Sequence, residues 1–261
     1  LKERKENLSQ FTFSMLAIVV GIVAGFGAVF FRALIAFIHN EMFFEKFSFF
    51  YNSNAHIPPS VWGKYVIFVP VVGALGVAFL VKNFAPEAKG HGVPEVMDAI
   101  YYNKGKIRPI VAAIKSLASA LSIGSGGSIG REGPIVQIGA TFGSMIGQWV
   151  RMPAWQRITL IGAGAGAGIA ATFNTPIGGL LFSIELMVPE LSVRTFIPIA
   201  ISTSTATFIG RIFFGNTPSF IIPAFAIPKD QLTNPYILLT YIGLGLIVGG
   251  VSAIFIKSIY G

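Results

Sequence analysis

The chain contains no cysteine, which excludes disulfides and thiolate metal centres while leaving the compartment open. Charge is scarce: Asp, Glu, Lys and Arg make up 11% of 261 residues, against about 25% in ordinary soluble domains. Acidic side chains are the rarer kind, 11 against 19 Lys and Arg. The positive excess is dispersed over short connecting segments and never massed into the dense patch that nucleic acid selects, so no nucleic-acid partner is expected. No metal, nucleotide or organic cofactor motif, heptad repeat or low-complexity tail is present. What remains is apolar: 53% of residues are hydrophobic and mean hydropathy is +0.71. The composition is that of an all-α polytopic integral membrane protein, with lipid as its first partner.

Hydropathy predicts long helices over about 11–38, 60–82, 155–172, 193–214 and 235–258, mixed with pieces too short to cross, at 94–102, 108–123, 134–150 and 176–189. Gly/Pro clusters at 90–94, 124–134 and 174–179 separate the short pieces. Broken helices survive at membrane depth only where protein or a polar cavity surrounds them, and in transporters they point to the substrate site. The run 11–38 is too long for a signal-peptide core and reads as a retained, tilted span. Lys2, Arg4 and Lys5 precede it, and Lys82, Lys89, Lys104, Lys106 and Arg108 follow the second span, whereas 39–59 carries only Lys46. This bias predicts a cytoplasmic N-terminus and an external, interface-hugging 39–59 segment containing Tyr51 and His56. Leu1 in place of Met, and an apolar run stopping at Lys257-Ser-Ile-Tyr-Gly261, are expected of a piece of a longer chain. Gly139, Gly143 and Gly147, with Gly164 and Gly168, form G-x-x-x-G patterns whose expected role is close helix packing.

One carboxylate stands out. Glu132, within Gly130-Arg131-Glu132-Gly133-Pro134, interrupts a long apolar stretch, where a charge costs at least about 2.5–3.5 kcal/mol unless it meets a cavity or partner. Pro134 suits the first turn of a helix, whose free N–H groups attract anions, and Glu132 is itself one. The local expectation is an anion site with a built-in competitor; the alternative is that Glu132 merely caps its helix.

Together with Lys89-Gly90-His91-Gly92-Val93-Pro94-Glu95 and Phe173-Asn174-Thr175-Pro176 running on to Leu181-Phe182-Ser183-Ile184-Glu185, this element resembles the CLC family of chloride channels and proton-coupled anion exchangers. The resemblance covers essentially the whole chain. It implies a CLC-type inverted-repeat fold with re-entrant half-helices, residues 1–232 corresponding to the first repeat and 233–261 to the opening helix of the second. It implies an anion site from Gly90, His91, Gly92, Val93 and Pro94 in one loop and Gly130, Arg131, Gly133 and Pro134 in the other, with chloride as ligand and Glu132 as gate. It implies a homodimer, with 176–189 and 193–214 at the interface and the hydroxyl-dotted stretch Ile199–Thr207 packing there. The second half's anion-contacting tyrosine has no counterpart here, so this segment alone is not expected to conduct.

Two departures bear on mechanism. His91 stands where many members have serine; histidine also donates a hydrogen bond, and as a residue type it titrates near neutral pH. Leu186 stands where exchangers carry a proton-relaying glutamate, which favours a voltage- or pH-gated channel over the alternative, a proton-coupled exchanger. Glu185 either relays protons or pairs with Arg194 or another base. Rivals from other classes are an intramembrane serine protease, with a serine from Gly124-Ser125-Gly126-Gly127-Ser128 and His91 as base, and a non-transporting scaffold.

Overall fold

Helix α1 (Gln10–Phe44) opens the computed structural model, which describes residues 8–50, 59–216 and 235–260. Ser9 caps it by accepting from the Thr12 N–H at 3.3 Å. Its 35 residues make about 52 Å of helix, well beyond a hydrocarbon core of about 30 Å. The helix ends where Glu45 turns left-handed (φ 52°), and Asn40 Nδ2 donates to the Ser48 and Phe50 carbonyls at 2.8 and 2.9 Å, folding the chain back along α1. The helix thus runs six residues past its expected end. Part of the anticipated external segment is helical, and Tyr51 and His56 lie outside the described residues.

A 3-10 turn leads into α2 (Val69–Phe84), followed by α3 (Val93–Tyr101), α4 (Pro109–Gly124), α5 (Glu132–Trp149), α6 (Ala154–Phe173), α7 (Pro176–Phe182), α8 (Val193–Phe214) and α9 (Pro235–Tyr260). Proline at the first position opens α4 and α7 and sits second in α3, where a missing N–H leaves no intrahelical bond unmade. A π-turn, Ser183–Met187, extends α7. α8 begins with a reciprocal cap between Ser192 and Thr195. The four segments Gln10–Phe44, Gly63–Phe84, Val193–Phe214 and Leu239–Ile259 are long and apolar enough to cross a membrane, and no strand occurs among the described residues. This is a multi-pass, all-α membrane protein.

The chain divides into two units between Ser219 and Phe220. α9 belongs to the second. In the first, α6 is the axis, buried on nearly every face and flanked by α1, α5, α7 and α8. Its glycines are used for close packing, as expected from their spacing. A Cβ on Gly139 of α5 would overlap the Gly164 carbonyl of α6, and one on Gly164 would overlap the Gly139 carbonyl. Backbone meets backbone here, so Gly164→Leu should lower stability by about 3 kcal/mol, the upper part of the usual overpacking range. Thermal unfolding in detergent checks this.

Four of the five hydroxyls of 199–207 bond inside the chain, and Ser204 is exposed. Ser202 donates to the Ala163 carbonyl of α6 at 3.2 Å, while Thr203, Thr205 and Thr207 bond back to carbonyls of α8. This part of α8 packs against α1 and α6 of its own chain, because small hydroxyl-bearing residues let helices approach and satisfy their own hydrogen bonds.

Candidate anion site

The first loop is shaped by its own acid. Gly90 and Gly92 hold φ of 97° and 115°, a region open to glycine, and the turn brings Glu95 back over the start of α3. Glu95 Oε2 accepts from the Gly92 N–H at 2.7 Å, and its other oxygen lies where a Gly90 Cβ would go. Lys115, 3% exposed within α4, donates to the Ala88 and Gly90 carbonyls at 3.0 and 2.7 Å, and attracts Glu95. Lys115 escaped the sequence reading. Its signal was the same one that marks Glu132, an ionisable group inside an apolar helix.

The second loop follows α4. Its helix, α5, starts at Glu132 with no side-chain cap at Arg131. The Glu132 carboxylate folds over Gly130, is exposed, and accepts no hydrogen bond among the described residues.

The two loops touch. A Cβ on Gly133 would overlap the His91 carbonyl and lie 2.8 Å from His91 Nδ1; one on Gly92 would lie 2.5 Å from the Gly133 carbonyl. The structure therefore brings together Gly90, His91, Gly92, Val93 and Pro94 at one helix start with Gly130, Glu132, Gly133 and Pro134 at the other. The His91 ring is exposed and makes no hydrogen bond to the described residues. Two helix starts facing one region sum their partial positive charges.

Arg131 contributes only its backbone to this pair; its guanidinium turns to the Phe173 ring, 5.1 Å from the centroid. Glu185 lies exposed on the π-turn and forms no ion pair with Arg194, since among the described residues the single salt bridge is Arg108–Glu87 at 3.1 Å. Leu186 packs on the apolar cluster of Val96, Val136 and Ile161, where a glutamate would face desolvation. The protease geometry is not formed: Ser125 Oγ donates to the Ser122 carbonyl at 3.1 Å, and neither Ser125 nor Ser128 bonds to His91.

The family model described as voltage gated chloride channel matches residues 72–261. The "H(+)/Cl(-) exchange transporter ClcA" of Cronobacter sakazakii is 34% identical over 259 residues, covering 96% of this chain and 52% of the relative. Among solved structures, a "slow cyanobacterial Cl-/H+ antiporter" is similar with a TM-score of 0.67 at 28% identity, over 87% of this chain and 52% of that one. A "CLC-type fluoride/proton antiporter" gives a TM-score of 0.69 at 24% identity, over 92% and 55%, and shares the fold. The chain thus spans about half the length of the curated relatives it matches. With a family model covering most of its length and curated relatives a third identical across nearly all of it, the chain belongs to the CLC family.

Proposed function

We propose that this chain forms the first half of a proton-coupled chloride exchanger, with Glu132 as the gate, the α3 and α5 starts as half of the anion site, and His91 as a hydrogen-bond donor to the anion. Residues 1–232 are the first repeat and 233–261 open the second, with the N-terminus cytoplasmic and two copies making a homodimer. The observation that carries the reading is the contact of the two loops at Gly92 and Gly133, beside a carboxylate that accepts no bond from the described protein. An anion at those N–H groups and the Glu132 carboxylate compete for one region of positive potential, and protonation decides between them.

Leu186 alone favours a channel, but the ClcA relatives and the 28% identical structure are named exchangers and antiporters, and this reverses the preference. Protons then enter by a route that does not use position 186, with exposed Glu185 as its titratable candidate. The test is reconstitution of the whole protein in liposomes with an outward chloride gradient and no proton gradient. Uphill proton movement is expected; chloride flux with no proton movement would return the channel reading.

A further inference from the structure

At the edge of the second loop, Arg32 of α1 and the Arg131 side chain line a cavity of about 440 Å³ walled by α1, α4 and the end of α8. Arg32 lies over the Phe214 ring, 4.4 Å from its centroid, and Arg131 over that of Phe173. Beyond these ring contacts, neither guanidinium donates a hydrogen bond or reaches a carboxylate within ion-pair distance among the described residues. Each carries five N–H donors in a fork matched to phosphate. Two partly buried cations left this way in apolar surroundings call for an anion.

We propose that this cavity binds the phosphate of an anionic phospholipid between Arg32 and Arg131, with acyl chain along α1 and α8. Volume separates this from a free ion, because a water-sized species takes about 30 Å³ and a small anion would leave most of the space empty. The remaining walls, Val29, Ala33, Ile35, Ala36 and Phe213 among them, are apolar and suit hydrocarbon. Phe50, which lines the cavity and is 90% exposed, and Phe47 at 78% supply an aromatic rim, the arrangement that sits at headgroup level.

The test is native mass spectrometry of the whole protein in detergent, titrated with phosphatidylglycerol, phosphatidylcholine or inorganic phosphate. Phosphatidylglycerol adducts are expected to persist while phosphatidylcholine adducts do not. Arg32→Gln should weaken phosphatidylglycerol binding about tenfold or more, the loss of one charge-assisted contact. Ala33→Phe, which fills the acyl part and leaves both cations, should weaken it too and decides the matter if Arg32→Gln does not fold. Millimolar inorganic phosphate should not displace the lipid. The proposal is overturned if the folded variants bind phosphatidylglycerol like the parent, if phosphatidylcholine binds equally, or if inorganic phosphate alone occupies the site and competes. No flux is read, so the outcome is independent of the exchanger reading.

Discussion

Glu132→Gln in the whole protein should abolish proton movement coupled to chloride while chloride flux continues. The α5 start offers N–H groups with no side-chain cap at Arg131, and the Glu132 carboxylate lies at Gly130, directly before them. Two unit charges 4 Å apart at an effective dielectric of 20 interact by about 4 kcal/mol, roughly a thousandfold in occupancy. In the proposed site a carboxylate and a chloride therefore exclude each other. Glutamine keeps the shape and removes both the charge and the proton, so anions pass without a proton stroke. The measurement is paired chloride and proton flux in liposomes. Proton uptake at the parent stoichiometry would remove Glu132 from the gate, and a change confined to thermal stability would favour the scaffold reading.

Gly133→Ala should lower stability by about 3 kcal/mol and stop transport in whatever protein still folds. The added methyl has nowhere to go, because its place is held by the His91 carbonyl, a backbone atom that no rotamer change can move. Overpacking costs about 1–3 kcal/mol where neighbours can adjust, and more where they cannot. Here adjustment means separating the α3 and α5 starts, which would undo the site. Gly27→Ala is the control: its new Cβ would meet the Phe142 ring at 3.4 Å, an ordinary contact. If Gly133→Ala melts and transports like the control, the two loops do not touch as described.

Most of the architecture was legible in the sequence, for a physical reason. Apolar runs set the long helices, Gly/Pro clusters set the breaks, and the short pieces 94–102, 108–123, 134–150 and 176–189 fall within two residues of α3, α4, α5 and α7 with its π-turn. The G-x-x-x-G spacing predicted close helix packing, and the structure adds that the partners are α5 and α6. The end of α1 was misjudged because His39, Asn40 and Glu41 read as polar loop, while the bonds from Asn40 to Ser48 and Phe50 that favour helix there are long in register and invisible to hydropathy. That the two loops meet was not derivable from spacing; only the family resemblance implied it. Glu185 and Arg194, nine positions apart in sequence, were a reasonable pair on paper, but the π-turn and the extended residues after it separate them. The Arg32–Phe214 contact joins residues far apart in sequence and left no local pattern to read.

The meeting of α5 and α6 at Gly139 and Gly164 has a kinetic side. Carbonyl against α-carbon leaves no side chain between the helices to bend or repack, and close-packed interiors deform little. The helix that carries Glu132 is thus clamped from behind. In the proposed exchanger, opening is then expected from rotation about the glutamate's own χ angles, a motion of picoseconds to nanoseconds for an exposed side chain, and not from a rocking helix, which takes about microseconds to milliseconds. On such a frame the proposed exchanger should turn over at a pace set by the residence time of a proton or an anion and not by the movement of the door.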